Sequence, residues 1–532
     1  MRRLVAEGVT TIFTLSGNQI MPVFDAVVDA GVRLVHVRHE AAAVHMADAF
    51  GQLTGEPGVA LVTAGPGFAN GLSALYGALR AESPMVLLAG HAPLRELGRG
   101  AFQEMPQSDL AAPFTKSSWL ARDPSRLASD LARAMRIARS GRPGPVQLSL
   151  PFDVLEATVD DEDTADTVDA PLPSPTADNL GDLVASLKAA RRPLLIHGPA
   201  ACRGQLARQV REIARRWRLP VVGMSSPRGL KDPSLGAFGE VLPSADLILL
   251  LGKEPDYMLR FGSPPAVAGD ARFVHVAPDE TALARARELL GDRLALQFRA
   301  ELSTLLTALA ASELEHGGDP AWLVEVEAAI ATRTVSGRVR SPGAPGPLHP
   351  ADLAQAIQPI LDRSERSVLI QDGGEFGQWA QAHLRAPRRI TNGPSGAIGA
   401  SLPFAIAARI VEPEAPIVAV MGDGTVGFHI AELDTAVRND TPFLAVVGND
   451  ACWNAEHQIQ LREYGPDRTI GCELLPTRYD RVAAGFGAFG VHVDDEAELA
   501  PALARAEASG KPALVDVTIE RHPAPSPRLG RS

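Results

Sequence analysis

Two acidic residues that each follow the end of an apolar run give this sequence its clearest chemical signal. The run Pro416–Met421 leads into Gly422-Asp423-Gly424-Thr425, and the run Phe443–Val447 leads into Gly448-Asn449-Asp450. A glycine turn at the carboxyl end of a parallel strand lets main-chain N–H groups approach a phosphate closely. A carboxylate there would repel the phosphate unless a cation lay between them, so Asp423 and Asp450 predict a bridging Mg²⁺.

Taken alone, Gly-Asp-Gly is more often a simple turn, but here 24 residues separate it from Asn449-Asp450. This arrangement resembles the signature of the thiamine-diphosphate-dependent enzymes, in which Gly-Asp-Gly is followed at this distance by Asn-Asn. The resemblance implies that Asp423, Asp450 and the backbone carbonyl of Cys452 hold the metal, while Gly422, Gly424 and Thr425 contact the cofactor. Asp450 replaces the second Asn, which keeps an oxygen ligand and adds a negative charge.

A second signal lies nearly 400 residues earlier, in Arg38-His39-Glu40-Ala41-Ala42-Ala43 after the predicted strand Leu34–Val37. A Glu that opens a helix is often only a favourable anion in its first turn. The family carries a Glu in such a sequence, bound to N1′ of the cofactor's aminopyrimidine, and the next strand leads to Gly-Pro-Gly-x-x-Asn. Here that stretch is Gly65-Pro66-Gly67-Phe68-Ala69-Asn70, so the resemblance implies that Glu40, Gly65 and Asn70 bind the cofactor.

The similarity extends over essentially the whole chain and resembles the acetolactate synthase, benzaldehyde lyase and 2-hydroxyacyl-CoA lyase branch of the family. It implies that Glu40 acts in proton relay to the cofactor, which becomes a nucleophilic ylide and carries the covalent chemistry. The expected activity is that of a carbon–carbon lyase or carboligase. Its expected substrates are 2-hydroxy ketones, aldehydes or 2-keto acids, and the reaction would run through an enamine.

Two further stretches correspond to cofactor-binding loops of the family. Asp372-Gly373-Gly374-Glu375-Phe376 falls where the family wraps a loop around the diphosphate. Asn392-Gly393-Pro394-Ser395-Gly396-Ala397-Ile398 aligns Ile398 with the apolar wedge under the cofactor and the Gly396 carbonyl with its 4′-amino group. Plain core packing is the competing interpretation of Ile398.

Three more positions are expected to face the substrate. Gln103 matches a Gln that reaches the reacting centre in acetolactate synthase and benzaldehyde lyase. A solvated surface Gln is the competing interpretation. Gln19 stands where benzaldehyde lyase has an active-site His, so a titratable group is missing there. Ala455 occupies the position of a small pocket residue and is grouped with the cofactor-binding residues.

Several alternatives stay open at this stage. Trp453–Ile459 lacks the Met and Trp that acetolactate synthases place after the metal motif, whereas Gly448–Trp453 resembles the acyl-CoA lyases. Leu251-Gly252-Lys253-Glu254 lacks the Arg-Phe-Asp of flavin-binding members, so FAD is not expected. The non-enzyme alternative is a catalytically silent cofactor-binding scaffold, which intact Glu40, Asp423 and Gln103 disfavour.

The elements that must position these residues alternate between short apolar strands and amphipathic helices, which predicts an α/β protein of consecutive parallel sheets. Three domains are expected. They are a pyrimidine-binding domain over 1–160, a Rossmann-like middle domain over 176–335 and a diphosphate-binding domain over 348–525. The acidic, proline-containing stretch Glu156–Pro175 and the Pro/Gly-rich stretch Ser341–Pro350 separate them.

Composition narrows the partners of this 532-residue chain to small molecules. A net charge of −12, with acidic and basic residues mixed along the chain, argues against nucleic acid or a membrane surface. The three cysteines show neither disulfide nor zinc spacing. No export signal is recognised near Met1, so a cytoplasmic location is expected. The family resemblance implies a homo-oligomer, dimer or tetramer, with the cofactor between subunits.

Overall fold

The computed structural model describes residues 1–159, 174–312, 318–332 and 346–527. Three parallel sheets with covering helices confirm the predicted α/β class. The first and third sheets belong to one compact unit and the middle sheet to another. The three domain boundaries stay predictions, and residues 160–173 and 341–345 of the predicted separators lie outside the described residues. In the described ranges, no helix is both long and apolar enough to cross a bilayer.

The first sheet has six strands, and seven α-helices accompany them within residues 1–159. The strands are β1 (Thr11–Thr14), β2 (Arg33–His36), β3 (Gly58–Val62), β4 (Met85–His91), β5 (Ser117–Leu120) and β6 (Pro145–Pro151). The helices are α1 (Arg2–Ala6), α2 (Met21–Ala30), α3 (Glu40–Thr54), α4 (Pro66–Arg80), α5 (Gln107–Ala111), α6 (Leu127–Arg139) and α7 (Phe152–Glu156). The strand order is β2-β1-β3-β4-β6-β5, and every pairing is parallel. Every residue of β3, β4 and β6 is buried, as expected where helices cover both faces.

The middle sheet has five parallel strands in a second, separately packed unit. The strands are β7 (Pro193–His197), β8 (Val221–Gly223), β9 (Leu247–Leu251), β10 (Arg272–Ala277) and β11 (Leu294–Arg299), in the order β11-β10-β9-β7-β8. The helices are α8 (Ala177–Ala189), α9 (Gly204–Trp217), α10 (Phe238–Val241), α11 (Glu280–Leu290), α12 (Leu302–Ala311) and α13 (Pro320–Ala331). This order, 2-1-3-4-5 along the chain, is that of a doubly wound fold and agrees with the predicted Rossmann-like character.

The third sheet again has six parallel strands. They are β12 (Val368–Gln371), β13 (Arg388–Thr391), β14 (Ile417–Gly422), β15 (Leu444–Asn449), β16 (Phe489–Val493) and β17 (Ala513–Thr518), in the order β13-β12-β14-β15-β17-β16. The helices are α14 (Pro350–Leu361), α15 (Gly374–His383), α16 (Ser401–Val411), α17 (Asp423–Val426), α18 (Glu432–Arg438), α19 (Asn454–Tyr464), α20 (Tyr479–Gly485) and α21 (Glu496–Ala508). Alanine-rich α16 packs closely against α3, and the His45 ring meets Phe404 edge-on at 5.7 Å.

All of the chemistry-bearing stretches follow strand carboxyl ends. Glu40 comes after β2 and Gly65 after β3, while Asp423 and Asp450 come after the neighbouring strands β14 and β15. In a parallel sheet these ends lie along one edge, where helix N-termini and loops form binding crevices. The fold therefore places the predicted residues at the two sheet edges where a ligand can bind.

Candidate active site

Asp423 and Asp450 face each other after the adjacent strands β14 and β15, and their carboxyl groups share a hydrogen bond. Asp423 is 2% exposed, and its Oδ2 accepts the backbone N–H of Cys452 at 3.2 Å. Burial raises the pKa of both carboxyl groups, and the charge of Asp423 raises the pKa of Asp450 further. Two such carboxyls share a proton in the metal-free protein, and together they are a donor set suited to a hard divalent cation.

The backbone around Asp450 is held in an unusual conformation. Ala451 has a φ of 51°, a left-handed value that is rare for a residue with a side chain. Its N–H donates to Asn449 Oδ1 at 3.2 Å, and the Asn449 amide group donates in turn to Asp516 at 3.0 Å. The Arg521 guanidinium donates to the carbonyls of Asp450 and Ala451 at 2.7 and 2.9 Å. These contacts fix the turn that carries the second carboxylate.

The glycines of the Gly-Asp-Gly motif keep the space beside Asp423 free of side chains. A Cβ on Gly424 would lie 2.6 Å from the Trp453 ring, so no larger residue fits there. Gly422 precedes α17, and its carbonyl accepts the Thr425 hydroxyl at 3.0 Å. Ala455 is half-buried in the first turn of α19, close in sequence to Trp453.

The predicted diphosphate loop and the predicted wedge lie against each other. A Cβ on Gly373 would be 2.6 Å from Ile398 Cγ2, so this glycine is required for the close approach. Buried Asp372 accepts hydrogen bonds from the N–H groups of Gly373 and Gly399 at 2.7 and 3.0 Å. It also accepts the Ser401 hydroxyl at 2.7 Å. The Asp372 side chain thus joins the predicted diphosphate loop to the segment that carries the predicted wedge.

The remaining predicted residues of this region differ in their surroundings. Gly374 has a φ of 82° and open space where a side chain would be, whereas Gly396, with a φ of 69°, is exposed. Glu375 is half-buried and accepts from Gln378 at 2.8 Å. Phe376 is 4% exposed and packs against Gly448, so its ring belongs to the core beneath the loop.

Glu40 is the first residue of α3 and is 8% exposed. Its Oε2 accepts a hydrogen bond from Asn70 Nδ2 at 3.0 Å, so two residues predicted from separate motifs do meet. A Cβ on Gly67 would lie 3.4 Å from Oε1, so the glycine adds no side chain against this oxygen. His39 caps the helix by accepting the N–H of Ala41 at 3.1 Å.

Gly65, Gln103 and Gln19 lie around the end of β3. A Cβ on Gly65 would be 3.0 Å from Gln103, which itself has a left-handed φ of 58°. Buried Gln107, which the sequence did not indicate, accepts the Gly65 N–H at 2.9 Å. Gln19 is 4% exposed, and its Oε1 accepts the Thr63 hydroxyl at 2.7 Å.

Two supporting residues were also missed. Glu432, 1% exposed, accepts the N–H groups of Arg38 and His39 at 3.0 and 3.1 Å and so fixes the turn before Glu40. The Tyr479 hydroxyl donates to the Asp423 carbonyl at 2.9 Å. An acidic residue on the buried face of α18, one turn before buried Ala436, was the available signal for Glu432. Nothing in the sequence near Tyr479 indicated its partner.

The predicted residues thus form two groups. Glu40, Asn70, Gln19, Gly65 and Gln103 lie at the first sheet, and the Asp423 and Asp450 region lies at the third. Across the described part of the chain, no hydrogen bond joins the Glu40–Asn70 pair to Asp423, Asp450 or Cys452. The two groups therefore lie at the strand ends of two different sheets.

Three family models match consecutive parts of the chain. The thiamine pyrophosphate enzyme N-terminal TPP binding domain matches residues 1–111, the central domain matches 180–308, and the C-terminal TPP binding domain matches 372–517. The match to the N-terminal domain includes Glu40, Gly65, Asn70 and Gln103. The match to the C-terminal domain includes Asp423 and Asp450.

The chain is also similar to curated proteins over nearly its full length. It is 31% identical to a probable acetolactate synthase from Mycobacterium bovis, covering 98% of this chain and 94% of that one. It is 30% identical to 2-hydroxyacyl-CoA lyase 2 from Danio rerio, covering 97% and 90%. Among solved structures, a thiamine diphosphate-dependent 4-hydroxybenzoylformate decarboxylase from Rhodococcus jostii matches with a TM-score of 0.82 over 98% of both chains. Its identity is 22%, so this match supports the fold alone.

Proposed function

The chain belongs to the thiamine pyrophosphate enzyme family, and on that premise we propose a carbon–carbon lyase or carboligase that depends on thiamine diphosphate and Mg²⁺. Its substrates are 2-hydroxy ketones, aldehydes or 2-keto acids. The observation that carries this proposal is the hydrogen-bonded pair of buried Asp423 and half-buried Asp450 after adjacent strands, with the N–H of Cys452 on the Asp423 carboxylate.

The residues at this pair fit a magnesium ion. Asp423 is buried and Asp450 is half-buried, their carboxyl groups share a hydrogen bond, and both have raised pKa values, so replacing the shared proton by a divalent cation relieves their repulsion. Asp423, Asp450 and the backbone carbonyl of Cys452 would hold the ion. The Asp at position 450 supplies one more negative charge than the Asn that the family carries there.

The surrounding glycines fit a diphosphate. Gly373, Gly422 and Gly424 bring main chain rather than side chains to the region of Asp423, and at Gly373 and Gly424 neighbouring groups would clash with a Cβ. Asp372 holds the Gly373 and Gly399 loops in place through its hydrogen bonds. A phosphate can therefore approach main-chain N–H groups here, as it does at other glycine-rich turns.

When bound, thiamine diphosphate supplies a nucleophilic carbon that adds to a carbonyl and accepts the electrons of the adjacent carbon–carbon bond. Glu40 would hold a proton at N1′ of the aminopyrimidine, while Asn70 keeps its Oε2 in place. Ile398 would support the cofactor from the third sheet. The Gly396 carbonyl would accept its amino group.

Gln103 and Gln19 would orient the substrate without exchanging protons. The Thr63 hydroxyl occupies Gln19 Oε1, which leaves the Nε2 group as a donor for a substrate carbonyl or carboxylate. Because neither amide titrates near neutral pH, water or the cofactor itself must carry the protons that a histidine would carry. Ala455 leaves room for the substrate.

We assign the complete site to a homo-oligomer, dimer or tetramer. The Glu40 pair and the Asp423 pair share no hydrogen bond within the described chain, and each binds a different part of the cofactor. A second copy that places its Glu40 over the first copy's Asp423 completes the site. This arrangement is the one that the family resemblance implied.

Acetolactate synthesis is the second candidate, supported by the 31% identical relative, and cleavage of 2-hydroxyacyl-CoA is a third, supported by the 30% identical one. The Met and Trp that acetolactate synthases place after the metal motif are missing here, which argues against acetolactate synthesis. The proposal does not include bound FAD. A flavin absorption band in the purified protein would contradict it on this point.

A substrate panel tests the proposal. Pyruvate, benzoin, benzaldehyde, formaldehyde and a 2-hydroxyacyl-CoA are each incubated with protein, thiamine diphosphate and Mg²⁺, and products are identified by mass spectrometry. Turnover of benzoin or an aldehyde supports the preferred reaction. Acetolactate from pyruvate as the sole product replaces it with the second candidate. A silent panel together with unaccelerated hydrogen exchange at the cofactor's reactive carbon would make the chain a non-catalytic scaffold.

A further inference from the structure

Three side chains with different ligand atoms meet beside the turn that carries Asp450. They are the Cys452 thiol, the His457 imidazole and the Glu473 carboxylate, and one ligand atom from each lies within 4.8 Å of the others. Cys452 is 4% exposed, His457 is half-buried and Glu473 is exposed. The group therefore runs from the protein interior to its surface and has an entry path.

Main-chain hydrogen bonds hold the three residues in place. Cys452 and Glu473 are directly opposed across an isolated antiparallel bridge. On either side of the bridge, Trp453 N–H donates to the Cys472 carbonyl at 2.7 Å and Leu474 N–H to the Ala451 carbonyl at 2.8 Å. His457 lies one turn into α19. The arrangement is thus a property of the backbone and does not depend on flexible side chains alone.

One ring nitrogen of His457 lacks a protein partner among the described residues. His457 Nδ1 is buried and makes no hydrogen bond to any of the residues that the structure describes. A buried nitrogen without a partner is unfavourable, so an ion or water that bonds to it would stabilise the fold. The neighbouring Cys452 sulfur and Glu473 oxygen make an ion the better match.

We propose that Cys452, His457 and Glu473 bind a thiophilic divalent cation of the Zn²⁺ type, at a site separate from the Asp423 and Asp450 pair. Sulfur, nitrogen and carboxylate oxygen are the ligands that Zn²⁺ selects, whereas Mg²⁺ prefers oxygen alone. Three protein ligands leave a fourth position for water. On binding, the Cys452 thiol releases its proton to solvent and a sulfur–metal bond replaces the S–H bond.

The ion would share Glu473 with an arginine. Arg521 donates to both Glu473 oxygens at 2.8 and 2.9 Å, and to the carbonyls of Asp450 and Ala451. One carboxylate oxygen can turn to the metal while the other keeps the guanidinium. Because the Cys452 N–H also donates to Asp423, occupancy of this site is coupled to the turn between the two acidic residues.

Cobalt titration tests the proposal directly, because thiolate-bound Co²⁺ has an intense near-ultraviolet charge-transfer band. Metal-stripped, reduced protein is titrated with Co²⁺ in excess Mg²⁺ and without thiamine diphosphate, so that the all-oxygen site is filled by Mg²⁺. We expect the band to saturate at one ion per chain and to disappear when Zn²⁺ is added. Cys452→Ser should abolish it, and His457→Gln and Glu473→Gln should weaken Co²⁺ binding by at least about 10–100-fold.

Cys472→Ser is the matched control. Cys472 is also buried and lies next to the bridge, but its sulfur contacts the Ile470 carbonyl at 3.6 Å and is not in the ligand group. This variant should keep the band. Absence of the band in the unmodified protein, or its persistence in Cys452→Ser, would overturn the proposal. Thermal melts of each variant separate loss of a ligand from loss of the fold. Neither cofactor nor turnover enters the readout, so it is independent of the proposed reaction.

Discussion

Asn70 Nδ2, in the second turn of α4, donates a 3.0 Å hydrogen bond to Oε2 of Glu40, the first residue of α3. The bond joins two motifs 30 residues apart, and the other carboxylate oxygen lies beside Gly67, which has no side chain of its own to cover it. Glu40 is thus held by one oxygen and available through the other, which is the arrangement a proton relay to a bound ring nitrogen requires.

This relationship predicts a graded effect of two substitutions on exchange of the cofactor's reactive C–H proton. Glu40→Gln should slow deuterium exchange by about 10²–10⁴-fold, because the relay proton is lost. Asn70→Ala should slow it by about tenfold, the effect of losing one hydrogen bond to a charged group. Quenched-flow exchange followed by proton NMR measures both rates. Asn70→Ala at the wild-type rate would show that the bond does not position Glu40.

Replacing Asp450 by Asn should have opposite effects on two properties. The metal-free protein should gain about 1 kcal/mol or more in free energy of unfolding, because a neutral amide replaces a carboxyl group whose pKa is raised by burial and by the charge of Asp423. Affinity for Mg²⁺ should fall about tenfold, because the site loses a charged ligand. Urea unfolding and calorimetric Mg²⁺ titration with saturating thiamine diphosphate measure these quantities.

The exposed Asp494→Asn serves as the control for Asp450→Asn, since it makes the same chemical change away from the site. It should alter neither quantity appreciably. Tighter Mg²⁺ binding by Asp450→Asn would mean that the carboxylate opposes the ion, as a residue outside the coordination sphere would.

The buried carboxylate of Glu432 should influence cofactor binding without contacting the cofactor. Glu432→Gln puts an amide N–H opposite the N–H groups of Arg38 and His39, so we expect a loss of about 1–3 kcal/mol in the free energy of unfolding. Thiamine diphosphate affinity should fall as well, because the turn before Glu40 loosens. Urea unfolding and calorimetry test this, with exposed Glu498→Gln as the control. Unchanged cofactor affinity in a destabilised variant would limit Glu432 to a structural role.

The fold was largely predictable because its central strands are continuous apolar runs. The buried strands β14 and β15 lie within two residues of the apolar runs Pro416–Met421 and Phe443–Val447 that predicted them. The edge strands β5 (Ser117–Leu120) and β16 (Phe489–Val493) were not expected. They are half-buried and have no run of apolar residues long enough to stand out from the loops.

The site was predictable only where a local motif carries it. Glu40, Asp423 and Asp450 follow strand ends in recognisable sequences, and the structure places all three at the expected sheet edges. Glu432 is 394 positions from Arg38, and Thr63 is 44 positions from Gln19, so their hydrogen bonds arise only once the chain has folded. Partners of this kind depend on tertiary packing, which spacing along a sequence does not encode.

Gln19 should affect catalysis without changing its pH dependence. Gln19→Ala should lower kcat/KM by about tenfold or more through loss of a hydrogen bond to the substrate, measured with the best substrate of the panel. The pH profile should keep its shape, because an amide does not titrate. Thr63→Val, which has nearly the same volume, should give part of the loss by releasing Gln19 Oε1. A shifted pH profile in Gln19→Ala would contradict this role.

His45 should make the protein less stable in mild acid. It is 7% exposed between α3 and α16, and its pKa is lowered to about 3 by burial and then by His429 and His39. In the unfolded chain the pKa returns to about 6.5. The unfolded state therefore binds more protons between these values, and stability falls as the pH falls below 6.5. Between pH 7 and pH 5 the loss from this residue is about 2 kcal/mol.

Urea unfolding at pH 7 and pH 5 measures this loss, and His45→Phe and His45→Gln should each reduce it by about 2 kcal/mol. The two variants change packing differently, so the same reduction in both would attribute the pH dependence of the unfolding free energy to protonation of His45. His275, fully buried in the middle sheet, has a pKa lowered to about 4 by burial and then by Arg142, so its replacement should reduce the loss independently. Because the residues lie in different compact units, the two effects should add. An acid slope that both His45 variants retain in full would mean that this imidazole is already protonated in the folded protein, despite its burial.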